Sequence, residues 1–142
     1  MTDETSTTAD DTSRPPWLFD RTDERGIERE LAPGLDARIF AGENSMLSLV
    51  EIEPHSEGRL HSHEEEQWGY LLEGECVRIQ DGEEVHATAG DFWHTPGGVE
   101  HSIRTGEEGA VVLDVFSPPR PEYREAGEGF GDGGGDGVED GE

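Results

Sequence analysis

The chain has 142 residues and a formal net charge of −25 at pH 7, with 35 acidic residues against 10 basic ones, all of them arginine. This balance argues against a nucleic-acid partner and against binding to an anionic membrane, because both require a basic face. Apolar residues make up only 30% of the chain, which suits one domain with its core in the middle and polar ends.

The N-terminal segment, residues 1–14, is rich in Thr, Asp and Ser and is predicted to be disordered. It shows neither the basic region nor the apolar run of a signal peptide. Nowhere does the chain approach the roughly 18 apolar residues of a membrane-spanning helix. We therefore expect a cytoplasmic protein.

Residues 15–124 are predicted to form the domain, from short strands separated by Gly and Pro turns. "DARIF" and "MLSLVEI" have the character of strands, and "YLLEGECVRIQDGEEVHATAGDFWHTPGG" predicts four more, with a Gly turn, a hairpin at Asp81 and Gly82, and a second Gly turn between them. "VEHSIR" and "AVVLDVF" follow. No segment shows helical apolar spacing, so the sequence predicts an all-β barrel or jelly roll.

The C-terminal segment, residues 125–142, combines glycine with acid and is predicted to be a disordered tail.

The acid excess, with no lysine, predicts a surface adapted to a salt-filled cytoplasm, as in haloarchaea. Molar salt shortens the Debye length to about 3 Å and screens the self-repulsion of such a surface. An ordinary acidic protein with acidic tails is the alternative.

The histidines carry the clearest chemical signal. In "HSHEEEQWGYLLEG", His61 and His63 lie two residues apart, so in a strand both side chains share one face, and Gln67 has the same parity. In "VEHSI", His101 alternates with apolar, inward residues and needs a buried partner. Neutral imidazoles suit first-row divalent metals. The alternative is a histidine pair on a wet acidic surface that binds nothing.

This spacing resembles the two motifs of the cupin family. The first motif is matched by His61, His63, Gln67 and Gly74, and the second by Gly90, Pro96, Gly98 and His101. The chain departs from the pattern at three positions, with His55 for the first glycine, Gln67 for an acidic ligand and Thr105 for the last asparagine. The resemblance implies a double-stranded β-helix barrel, that is, a jelly roll. It also implies one divalent transition metal (Ni, Zn, Mn, Fe or Co), held by His61, His63, Gln67 and His101.

A closer resemblance, carried by "LDVFSPPRPEY", is to the KdgF-type pectin-degradation cupins. It implies ring opening of 4,5-unsaturated uronates to linear keto-uronates, with Asp114 and Arg120 as site residues. Asp114 lies in an apolar strand, where burial raises the pKa of a carboxyl and suits it to proton transfer. The prolines around Arg120 hold a guanidinium firmly for a substrate carboxylate. Phe116 shares the parity of Asp114 and walls the sugar or belongs to the core.

Each of these site residues has a structural alternative. Asp114 would be bonded to backbone amides, and Arg120 would pair with one of the many acids. Trp68, Tyr70 and Trp93 are interpreted as wall or core aromatics.

The glutamine at a ligand position leaves a divalent ion its full charge toward an anionic sugar substrate, whereas a carboxylate would partly neutralise it. A degenerate site that has lost a ligand is the alternative. Other functions stay open, because one fold supports many chemistries: a metal oxygenase or isomerase acting on another small molecule, or a non-enzymatic ligand-binding module. Exposed barrel strands and the resemblance both favour a homodimer.

Overall fold

The structure is a computed structural model that describes residues 14–124 and 127–129. Over these residues the chain forms the strands β1 (Ile27–Ala32), β2 (Leu35–Ala41), β3 (Met46–Ile52), β4 (Glu66–Gln80), β5 (Glu83–Thr88), β6 (Phe92–Thr95), β7 (His101–Arg104), β8 (Ala110–Ser117) and β9 (Gly127–Glu128). A 3₁₀ turn covers Pro121–Arg124. The strand order is β5-β4-β8-β3-β2-β1-β9, and β6 and β7 also pair with β4. The all-β prediction is confirmed.

The long strand β4 belongs to both layers of the barrel. Its first half pairs with β8 and β6, and its second half pairs with β5 and β7. The sequence predicted two strands separated by a turn at Gly74, and this is wrong. Gly74 does take a left-handed φ of 85°, but the strand continues through it, after a register shift between Leu71 and Glu73. The shift bends the strand from one layer into the other.

The core follows from strict alternation along β2, β3 and β8. In β3, for example, Met46, Ser48, Val50 and Ile52 are buried while Leu47 and Glu51 are exposed. The largest buried apolar side chains are Leu35, Ile39, Met46, Leu71, Val112 and Tyr123. One face of each strand therefore fills the barrel interior and the other meets solvent.

Turns appear where the sequence placed left-handed residues. Asp81 and Gly82 have φ angles of 52° and 83°, so the predicted tight hairpin between β4 and β5 is confirmed. His55, in the position of the first motif glycine, also takes a positive φ, 56°. It keeps the backbone conformation of a glycine at the cost of strain.

The described residues extend past the predicted domain boundary at residue 124. Gly127–Glu128 pairs in parallel with β1, and the Gly129 amide donates to the Glu30 carbonyl at 2.7 Å. The rest of the two segments predicted to be disordered lies outside the described residues, apart from Arg14. Within the described ranges, no helix has the length and apolar character needed to cross a membrane.

Candidate metal centre

Three histidines meet at one end of the barrel because two loops are tied together through their backbones. His61 and His101 form a two-way bridge, with N–O distances of 3.1 and 2.9 Å. The Gly98 amide donates to the His63 carbonyl at 2.8 Å. The ring centroids of His61 and His63 lie 4.5 and 4.9 Å from that of His101. One nitrogen from each ring falls within 4.8 Å of the others, so the predicted convergence of the three imidazoles is confirmed.

The hydrogen bonds of the three rings define which nitrogen faces inward. The Nδ1 atoms of His61, His63 and His101 lie 2.7, 3.0 and 2.9 Å from the carbonyls of Arg59, Glu65 and Val99. Because a carbonyl only accepts, Nδ1 carries the proton in neutral His61 and His101, and each of these rings keeps its lone pair on Nε2. His63 has an acceptor oxygen at each ring nitrogen, the Glu65 carbonyl at Nδ1 and Gln67 Oε1 at Nε2. The Nε2 atom of His101 is buried and has no hydrogen-bond partner among the described residues. That atom is an orphaned acceptor that a cation would satisfy.

The environment keeps these rings neutral. Burial is the main cause in each case. It lowers the pKa of His61 well below its usual value, helped by His101. Burial and the Arg120 charge lower the pKa of His63 to about 4, and burial and Arg78 lower the pKa of His101 to about 3. Neutral imidazole is the form that binds a transition metal.

Gln67, buried at the start of β4, completes the cluster. Its Nε2 donates to Asp114 Oδ1 at 3.0 Å, which orients the amide so that Oε1 lies 3.0 Å from His63 Nε2. With its proton on Nδ1, His63 turns the lone pair of Nε2 toward Gln67 Oε1, and a cation between the two atoms would bind both. Neighbouring donors around an ion with bonds of about 2.1 Å lie roughly 3.0–3.4 Å apart. The His63–Gln67 pair falls in this range, and the three histidines could hold a metal ion. Gln67 as the fourth ligand stays a prediction.

Asp114 lies on the cavity wall in β8, opposite Ser48 in β3 and Gly69 in β4. Burial raises the pKa of its carboxyl to about 6, although Arg78 and the Gln67 hydrogen bond oppose that shift. In the part of the chain that the structure describes, its side chain is bonded to Gln67. The alternative of an aspartate tied to backbone amides is not what the structure shows.

Arg120 is fully buried beside the same cavity. Its guanidinium lies 4.3 Å from the centre of the Tyr123 ring, and its Nε is 3.8 Å from Glu65 Oε1. The Glu65 side chain is only 14% exposed. Arg120 thus faces an acid, but at a distance longer than a hydrogen bond.

Phe116 is 3% exposed, and its ring packs against His63 and Tyr123, each at 5.6 Å. It also lines the cavity, so both readings of this residue, core and wall, describe it.

The aromatic residues and one buried arginine differ from what the sequence predicted. Trp68 and Tyr70 are 47% and 43% exposed on the outer face of the sheet, so their assignment to the wall or core is wrong, whereas Trp93 does line the cavity. The sequence also did not predict Arg78, a buried side chain in the second half of β4 that faces the same cavity. Alternation counted from Gln67 points it outward, and only the register shift in β4 turns it inward.

A known protein family matches the part of the chain that contains the candidate site. Residues 48–116 match the family model described as the cupin domain. These residues form a cupin domain. The match runs from β3 to β8 and includes all four candidate ligands together with Asp114 and Phe116. The predicted double-stranded β-helix is confirmed.

Two characterised proteins are similar to this chain in sequence. Oxalate decarboxylase OxdC of Bacillus subtilis (strain 168) is 30% identical over 102 residues, covering 68% of this chain. The chain spans only 26% of that relative's length. Pectin degradation protein KdgF of Dickeya dadantii (strain 3937) is 27% identical over 96 residues, which cover 66% of this chain and 87% of the relative.

A solved structure is similar to this chain in fold. An RmlC-like cupin from Shewanella frigidimarina NCIMB 400 superposes with a TM-score of 0.67 at 26% identity, covering 78% of this chain and 96% of that one.

Proposed function

We propose that this cupin is a metal-dependent enzyme that opens the ring of 4,5-unsaturated uronates to give linear keto-uronates. The observation that carries the proposal is the Gln67 amide, which presents its oxygen beside His63 Nε2 and its N–H to Asp114. One neutral side chain thereby links the metal cluster to the candidate proton carrier. The similarity to KdgF along most of that protein's length supports the same choice.

The donor set suits an anionic substrate. His61, His63, His101 and Gln67 would hold the ion, and all four are neutral donors. The bound metal would supply an undiminished divalent charge that polarises and orients substrate oxygens. A carboxylate at position 67 would offset part of that charge and repel a uronate.

Arg120 and Phe116 would position the sugar. Both line the cavity, with the Arg120 guanidinium held against Tyr123. Guanidinium binds carboxylate through two parallel hydrogen bonds, so Arg120 suits the carboxylate of a uronate. Phe116 offers an apolar surface to the ring.

Asp114 would move the proton as the enol becomes a ketone. Its Oδ1 accepts from Gln67 at 3.0 Å, which leaves the second carboxyl oxygen for the substrate. A positioned general acid or base contributes roughly 10²- to 10⁴-fold to a rate.

The test combines elemental analysis with turnover of unsaturated galacturonate and guluronate in molar potassium chloride. Loss of the ultraviolet absorbance of the conjugated double bond reports the reaction. We expect Asp114→Asn to keep its metal and lose at least about 100-fold in kcat. Asp36→Asn, an isosteric change at an exposed position in β2, serves as the control and keeps full activity. An Asp114→Asn protein with metal and wild-type turnover would refute the proton role.

The rival functions give different results in the same experiment. Tight uronate binding without turnover by the metal-loaded protein would support a ligand-binding module. Oxygen consumption with a redox-active metal would support an oxygenase.

We also propose that the chain forms a homodimer through the outer face of the sheet. There Trp68, Tyr70 and Phe92 are exposed, and with Leu113 and Val115 they line an apolar groove. In a chain with 35 acidic residues, this groove has no charged residue in its lining. A second copy presents the same uncharged, aromatic surface in return.

A further inference from the structure

Arg78 is a buried cation that the proposed reaction has not used. All ten arginines lie within the described residues, and only Arg78 and Arg120 among them are buried, at 7% and 0% exposure. Both line the same cavity, together with Asp114, His61 and His101. A strongly acidic chain has therefore placed its two buried arginines on one cavity.

The contacts of Arg78 are all with neutral groups. Its Nε donates to Gln80 Oε1 at 3.2 Å and its Nη2 to Thr95 Oγ1 at 2.8 Å. The guanidinium also lies 5.2 Å from the Trp93 ring centre. Among the described residues, no carboxylate oxygen comes within the 4.0 Å of an ion pair to Arg78.

Burial lowers the pKa of Arg78 to about 10, so the side chain still carries its charge at neutral pH. A buried charge without an ion pair is unfavourable unless something else compensates it. Asp114 does so only from beyond ion-pair distance.

The two arginines lie near different histidines of the cluster. Gln80, which accepts a hydrogen bond from Arg78, is paired with His101 in β7, whereas Arg120 lies 5.7 Å from the Phe116 ring that packs against His63. A ligand lying across the cluster would therefore meet one guanidinium at each end.

We propose that Arg78 is a second anion-binding side chain, and that the cavity takes a small ligand with two negatively charged oxygen groups, one held by Arg120 and the other by Arg78. Arg78 would then select dianions over monoanions of the same size. The selectivity resides in the fixed guanidinium fork, which Gln80 and Thr95 hold in place.

This step rests on the proposed function. In that reaction, the second negatively charged oxygen is the one that ring opening creates. The C1 hydroxyl gives up its proton to the Asp114 carboxylate, C1 becomes a carbonyl, and the bond from C1 to the ring oxygen breaks. The ring oxygen keeps the electron pair as an enolate on C5, until C4 takes the proton from Asp114 and C5 becomes a ketone. During this step the substrate carries a carboxylate and an enolate, which is the dianion that two arginines match.

The test measures binding and needs no turnover. Malonate and succinate are titrated calorimetrically into metal-loaded protein in molar potassium chloride, each against its monoamide, malonamate or succinamate. We expect wild-type protein to bind at least one dianion tenfold or more tightly than its monoamide. Arg78→Gln should bring this ratio below threefold, with monoamide affinity within twofold of wild type and unchanged metal content. Arg104→Gln, which removes a partly exposed ion pair with Glu84, is the control and keeps the ratio.

Three outcomes overturn the proposal. The first is a wild-type ratio of dianion to monoamide affinity near one. The second is an unchanged ratio in Arg78→Gln. The third is a ratio that Arg78→Gln lowers in the wild-type protein but does not lower in a protein that already carries Asp114→Asn. The last would mean that Arg78 only balances Asp114. If Arg78→Gln does not fold, Arg78→Lys replaces it, because lysine keeps the charge without the fork. The ratio should then fall at least threefold, and an unchanged ratio overturns the proposal. A protein with dianion preference but no uronate turnover would refute the ring opening and leave the anion site standing.

Discussion

Residue 67 shows how much a single amide contributes to the site. A glutamine gives an oxygen toward His63 and an N–H toward Asp114, whereas a glutamate offers only acceptors. In Gln67→Glu, a second carboxylate would lie about 3 Å from Asp114, so that one of the two must hold a proton. We predict that this variant keeps one metal per chain and loses at least tenfold in kcat/KM on unsaturated galacturonate.

The opposite exchange at the preceding residue, Glu66→Gln, is the matched control. Glu66 points outward from the same strand and pairs with His94 at 2.6 Å, so Glu66→Gln should leave metal content and kcat/KM unchanged. Elemental analysis beside steady-state kinetics separates the two variants. A Gln67→Glu enzyme as active as wild type would show that the neutral donor set does not matter for the reaction.

At the scale of an element, β4 explains what the sequence could and could not predict. The histidines, Gln67 and Asp114 were readable because each lies in a short stretch where alternation or motif spacing holds. Arg78 was not, because the register shift between Leu71 and Glu73 changes which parity faces inward. The shift depends on pairing with β8, a strand 30 residues or more away along the chain. The contact of Glu65 with Arg120 is likewise long-range.

The same strand contains a glycine that the site requires. Gly69 lies opposite Trp93 on one neighbour and Asp114 on the other. An added Cβ would collide with the Trp93 indole and come within 3.0 Å of Asp114 Oδ1. We predict that Gly69→Ala destabilises the fold by about 1–3 kcal/mol and lowers turnover, since Trp93 and Asp114 must both shift.

Thermal unfolding of Gly69→Ala beside Gly106→Ala measures this effect. A Cβ at Gly106 would meet no atom within 4 Å, so that variant should unfold within a few degrees of wild type. Equal melting temperatures for the two variants would mean that Trp93 moves aside freely, and that Gly69 is not needed for packing.

For the whole molecule, charge is distributed with a clear contrast. The chain carries a net charge of −25, and most acidic side chains of the described residues are exposed and form an acidic surface, whereas two arginines line the cavity beside His61, Gln67 and His101. Such a surface repels itself and repels a second copy, while the potential inside the cavity attracts an anion. The uncharged groove around Phe92 is where two acidic chains can approach most closely.

The proposed dimer should therefore depend on salt. In molar potassium chloride the Debye length is about 3 Å, against roughly 10 Å at 0.1 M, so repulsion between two acidic chains is largely screened and apolar contact prevails. We predict a dimer in molar salt that dissociates at 0.1 M, observed by sedimentation velocity at fixed protein concentration. Phe92→Glu, which places a charge in the groove, should be monomeric in both conditions. Val85→Glu, at an exposed apolar position on β5 that does not line the groove, should dimerise like wild type. A Phe92→Glu protein that still dimerises in molar salt would move the interface elsewhere on the barrel, and a wild-type chain that is monomeric in molar salt would end the dimer proposal.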